Sequence, residues 1–168
     1  MSGIEAVTRE LCLTVQEQAR VWRRLLDLSL AQLDALKSQN VHGVHAILQE
    51  LEVTMLERSR TEVRRGILLQ QAATMLDVPV EAITRDVLVE HVDPQLAASL
   101  VEAAEELRAL VVELDAVVGR NTVLLEQELA IIEVMVRGAT VDSSARVTYG
   151  KHGMQHEAPR LRLLDAQV

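Results

Sequence analysis

Positions 96, 100, 103, 107, 110, 114, 117, 121, 124, 128, 131, 135 and 138 advance in steps of four and three without a slip, and all but Asn121 and Glu128 hold Leu, Ala, Val, Ile, Met or Gly. A period of about 3.5 residues is the spacing of a left-handed coiled-coil seam, so this stretch commits the chain to one helix of roughly 65 Å. Beside the seam, Val111, Val118, Leu125 and Ile132 repeat every seven residues on one flank. Two adjacent apolar stripes on one helix require two neighbours to cover them. A bundle of long helices follows.

The rest of the chain supplies the partners. From Ile4 to Lys37 apolar residues recur at three- and four-residue steps with no Gly or Pro inside, which predicts a first helix. The segment "SQNVHG" breaks the rhythm, with Asn40 as a cap and Gly43 near a helix start, and the chain reverses there. A second helix is expected over residues 44–76. Its middle, "ERSRTEVRR", mixes both charge signs and reads as a solvated face laced with pairs four residues apart. In "DVPVEAITRDVLVEHVDP", Pro79 suits the first turn of a short connector helix, and Asp93 followed by Pro94 is an N-cap and N1 pair opening the long helix.

After Gly138 the sequence turns small and polar, without sustained periodicity, as a flexible tail would. The expected organisation is therefore a helical bundle over residues 1–138 and a flexible C-terminal tail over 139–168. Composition agrees with an all-α fold, an elongated antiparallel hairpin or three-helix coiled-coil bundle with a short connector helix. There is no Phe, one Trp and one Tyr, too few aromatics for a β-rich core, and only seven Gly and three Pro to interrupt helices.

Several functions are disfavoured. A net charge of −8 is unsuited to neutralising phosphates, so nucleic acid is not an expected partner. Cys12 is single and lies in an apolar run, as a buried small hydrophobe would. No stretch approaches the roughly 18 uninterrupted apolar residues of a membrane span, and "MSGIEAVTRE" lacks the flank of a signal peptide. A soluble cytoplasmic protein with no membrane insertion is expected. His42 with His45, and His152 with His156, each offer two imidazoles, but two ligands do not close a zinc site. Phosphate-loop, dinucleotide-binding, nucleophile-elbow and metalloprotease motifs are lacking, as is the Glu-x-x-His pattern of di-metal bundles. No enzyme, metal or cofactor is expected.

The candidate site lies in "NTVLLEQELAIIEVM". Asn121 on the seam has two readings. A lone seam Asn commonly fixes register or partner number; alternatively it marks where the helix stops serving its own bundle and starts serving another chain. Glu128 favours the second, because a carboxylate one heptad later on the same seam is costly in a closed core. Val118, Leu124, Leu125, Ile131, Ile132, Met135 and Val136 then form an apolar surface with no further helix in the sequence to cover it. The cover is either another protein or a second copy, the latter making the chain a homodimeric structural or regulatory adaptor.

The layout resembles the FlgN-type flagellar export chaperones. The features that carry the resemblance are an Asn followed by paired Leu in the last helix, matched by Asn121, Leu124 and Leu125, and a Tyr-Gly-x-x-Gly element after it, matched by Tyr149, Gly150 and Gly153 in "VTYGKHG". The near absence of aromatics and the end "APRLRLLDAQV" depart from that pattern. The resemblance implies a cytoplasmic type III export chaperone, monomeric or homodimeric. It would bind the hook-associated junction proteins FlgK and FlgL, and engage flagellar export apparatus components, without a cofactor. It places substrate binding in the C-terminal region, at the stripe from Asn121 to Val136 together with Tyr149.

Overall fold

The computed structural model of the chain describes the backbone of residues 3–145 and side chains over residues 3–137. Three long helices carry it: α1 (Gly3–Lys37), α2 (Val41–Leu76) and α4 (Pro94–Ala145), with a 3-10 turn (Val80–Ala82) and the short α3 (Arg85–Val89) between the last two. No strand occurs among the described residues, and the all-α architecture expected from the heptads is the one adopted. The chain divides into two compact units, Met1–Gln127 and Glu128–Val168, and the division falls within α4.

Local chemistry sets each helix end. α1 closes in a Schellman arrangement, with the Gln39 N–H donating to Leu36 O and the Asn40 N–H to Ala35 O, while Gln39 takes a left-handed φ of 54°. Asn40 then caps α2, its side-chain oxygen accepting from the Gly43 N–H at 2.9 Å. Gly43 makes room for that cap: a Cβ there would stand 2.6 Å from Asn40 Nδ2. The cap explains why α2 starts at Val41 rather than at Val44. α2 ends the same way as α1, with Asp77 left-handed at φ 54° and the Val78 N–H donating to Ala73 O.

Thr84 caps α3 through a bond from the Val87 N–H, and Asp93 caps α4, one carboxylate oxygen accepting from the N–H groups of Gln95 and Leu96 at 2.9 Å each. Pro79 precedes the 3-10 turn in an extended conformation instead of sitting inside a helical first turn. At the far end α4 runs through Gly138 to Ala145. A single interior Gly costs a helix only about 1 kcal/mol relative to Ala, too little to stop one already 44 residues long. The remainder of the expected tail lies outside the described residues.

Packing in the first unit forms two apolar clusters. One joins Val7, Leu11 and Cys12 of α1, Leu68, Ala72 and Ala73 of α2, Ile83 and Leu88 of the connector, and Leu96 and Leu100 of α4. The other joins Ala19, Leu25 and Leu26 of α1 to Leu110, Leu114 and Val117 of α4, with Trp22, Leu51 and Leu107 half-buried against it. The start of α1 thus meets the start of α4 and the end of α2, so α1 and α4 run parallel and α2 antiparallel to both. Burial pushes the Cys12 thiol above its ordinary pKa, as befits a packed, unreactive side chain.

Polar residues punctuate this core. Thr14, Thr54 and Thr61 are buried with their hydroxyls donating to carbonyls one turn earlier on their own helices. Asn121, only 3 % exposed, donates through Nδ2 to the Ser29 carbonyl and to Gln32 Oε1 of α1, both at 2.9 Å, while its own Oδ1 has no partner. Across the hairpin, the Arg58 guanidinium lies 4.8 Å from the centre of the Trp22 ring.

Two stability changes are expected. Leu88→Ala empties a site 2 % exposed that ties the connector to the hairpin, and should lower unfolding free energy in urea by about 2–5 kcal/mol. Asn121→Ala strips both bonds to α1 and should cost about 1–3 kcal/mol. No change in unfolding midpoint for the second variant would show that the unpaired Oδ1 already offsets what Nδ2 contributes.

Candidate functional site

α4 is covered on its seam side as far as Asn121. Leu96, Leu100, Ala103, Leu110, Leu114 and Val117 are all buried, and Leu107 half-buried. α1 contributes the opposing surface, and beyond Ser29, the residue level with Asn121, it has eight residues left before it ends at Lys37. The next seam position, Leu124, is half-buried, and its neighbour Leu125 is 39 % exposed.

The neighbouring stripe is open even within the first unit. Val111 is half-buried, but Val118 one heptad later is 46 % exposed, and Val123 lies exposed as well. α2 cannot cover this side, since it gives the second cluster only Leu51. Of the residues expected to contact a partner, Val118 and Leu125 are therefore accessible and Leu124 is partly so. Asn121 is not: its amide is turned inward onto α1 and cannot touch a docked chain in this conformation. This burial fits the other reading, a polar contact that sets the register of α4 on α1.

In the second unit the described side chains, residues 128–137, belong to one helix. Glu128 is half-buried, and the apolar side chains after it are exposed, Ile131 at 49 %, Ile132 at 53 %, Met135 at 67 % and Val136 at 57 %. Leu129 and Val134, outside the expected set, are just as open at 61 % and 70 %. At 3.6 residues per turn these six side chains sweep an arc of roughly 220° around the helix axis. The opposite side is a narrow polar strip with an ion pair between Arg137 and Glu133 at 3.6 Å.

An exposed helix that is apolar over more than half its circumference has the character of an interaction surface. Covering the exposed portions of these six side chains is worth on the order of 5–10 kcal/mol before ordering costs are subtracted. Leu129 and Val134 were legible in the sequence as part of a nearly unbroken apolar run. A search for seam positions alone passes over them, because they lie to either side of the seam. Tyr149 lies outside the described residues.

The arrangement has the character of a binding surface. Among the described residues no group of three or more His, Cys, Asp or Glu is placed to hold a metal ion, and no helix is long and apolar enough to cross a membrane. Open grooves between α1 and α2 and between α1 and α4 are lined mostly by charged and polar side chains.

In comparison with known proteins, the family model described as FlgN protein matches residues 1–157. No curated protein matches the chain, and no solved structure does. The matched segment includes all of the helical bundle, the open apolar length of α4 and the Tyr149 element. The family match over nearly the whole chain and the all-α architecture agree: this chain belongs to the FlgN family, a chaperone family of flagellar protein export that binds flagellar substrate proteins.

Proposed function

We propose that this chain holds the hook-associated junction proteins FlgK and FlgL in the cytoplasm before their export, by letting an amphipathic helix of the cargo lie on the exposed apolar residues of α4. Val118, Leu124 and Leu125 serve in the first unit, and Ile131, Ile132, Met135 and Val136 in the second, with Tyr149 as a further contact. The observation that supports this reading most is the width of the apolar arc over residues 129–136. A cargo helix covers such an arc through anchors at i, i+3, i+4 and i+7. Met135, unbranched and polarizable, suits a surface that must accept two related cargoes.

The mechanism is linkage. Segments of the cargo that assemble only at their destination are apolar and prone to associate early, and binding them lowers their free concentration in proportion to chaperone concentration over Kd. No nucleotide or metal enters that step. Release is then competition: components of the export apparatus need only bind cargo or chaperone more favourably than the two bind each other. Asn121 acts from inside, by keeping α4 in register on α1.

Leu125→Asp and Ile132→Asp each place a carboxylate where the cargo helix would bury it, and each should weaken binding to purified FlgK or FlgL at least about tenfold in calorimetric titration. Helicity by circular dichroism should be unchanged, because both side chains are already open. Full affinity in both variants would remove α4 from the site. A tight homodimer that these substitutions dissociate, with no affinity for either cargo, would make the chain an adaptor instead. Removal of residues 146–168 should weaken cargo binding while leaving the melting temperature of the bundle in place.

A further inference from the structure

α2 carries a second open seam, and its charge says what should cover it. Val53, Leu56, Arg60, Val63 and Ile67 follow steps of three and four along the side of α2 turned away from its buried residues Thr54, Thr61 and Leu68. Their exposures are 54 % for Val53, 62 % for Leu56, 64 % for Val63 and 55 % for Ile67, and Arg60 is exposed too. Polar residues bound the apolar length, with Gln49 before it and Gln70 after it in the same rhythm. From Val53 to Ile67 it spans about four turns, roughly 21 Å.

Arg60 also edges a groove of about 460 Å³ between α1 and α2, where Arg20 and Arg24 face it from α1. Arg24 is held by Glu50 at 3.8 Å, and Glu17 in the same groove by Arg64 at 3.8 Å. Arg20 and Arg60 have no carboxylate within ion-pair reach among the described residues, and Glu57, which also lines the groove, offsets only one of them. Arginines thus outnumber carboxylates by one along that groove, in a chain of net charge −8.

We infer that this face of α2 is a docking site for an amphipathic helix of about four turns from another protein, apolar along its seam and carrying carboxylates opposite Arg60 and toward Arg20. The same face of a second copy is a poor occupant. Pairing α2 with itself, either parallel in register or antiparallel about the centre of the strip, sets Arg60 against Arg60, and like charges at a helix seam oppose association. An acidic partner turns the same position into an attraction and gives Arg60 a carboxylate. The site is separate in sequence from the α4 surface and stands whether or not that surface binds FlgK or FlgL.

The test uses the full chain and two synthetic helical peptides with the same Leu seam, one bearing Glu and the other Lys at the central seam position and along one flank. At low salt the Glu peptide should bind about fivefold or more tightly than its Lys twin, as two surface ion pairs allow, and the margin should shrink as salt is added. Arg60→Glu should reverse the preference. Val63→Asp should abolish binding of the Glu peptide with the melting temperature unchanged, since its side chain is open; the Leu125→Asp, Ile132→Asp double variant should bind that peptide normally. Failure of the Glu peptide to bind, equal binding of the two peptides, or binding indifferent to Val63→Asp overturns the inference. So does a dimer by light scattering that Val63→Asp dissociates, because a second copy would then be the occupant.

Discussion

The parallel seam between α1 and α4 is the contact on which the rest depends. It places Leu25 and Leu26 against Leu110, Leu114 and Val117, and it ends at Asn121, whose amide reaches Ser29 and Gln32. Hydrophobic burial along the seam supplies most of the stabilisation but is tolerant of register, since one Leu layer resembles the next. The amide is not tolerant: its two acceptors exist at one level of α1. Burying it with Oδ1 unpaired sacrifices some stability for a defined alignment.

That alignment divides α4 into two kinds of surface. Up to Asn121 its seam is core, and further along it shows hydrocarbon to solvent, most broadly over residues 129–136. α2 behaves differently. Its inner face is built from small or polar residues, Thr54, Thr61, Ala72 and Ala73, with Leu68 the one large buried side chain. Its larger apolar residues are spread over the outside. A helix so arranged contributes little to the core per residue and offers much to a neighbour. The two open strips differ in electrostatic character, with Arg60 at the centre of the one on α2 and Glu126, Glu128 and Glu133 interspersed along the one on α4.

Much of this was legible residue by residue. The heptads of α4, the Asn40 cap and the Asp93 and Pro94 start were readable because local hydrogen bonding and side-chain spacing determine them. α2 starts at Val41, three residues before the expected start, because a cap and the first turn it serves share residues that also suit a turn. α4 extends beyond Gly138, past its expected end, because glycine's helix penalty is small against the cooperativity of a long helix. "ERSRTEVRR" read as a solvated face, and its Arg58 and Glu62 do pair at 3.5 Å. Exposed apolar residues are threaded between those charges and just outside them, at Val53, Leu56, Val63 and Ile67.

Periodicity alone settled that the described residues build an all-α fold, roughly where each helix lies, and that α4 has more hydrocarbon than one seam can bury. Those properties follow from backbone geometry and side-chain spacing within one segment. Which stripe would be sealed, that Asn121 would face inward, and that α2 would keep a strip with an arginine at its centre in the open depended on contacts between residues such as Ser29 and Asn121, 92 positions apart. A seam carries the same spacing whether or not it is covered. Only the packing of distant segments, where each buried surface must find a complement of matching shape and polarity, separates the two.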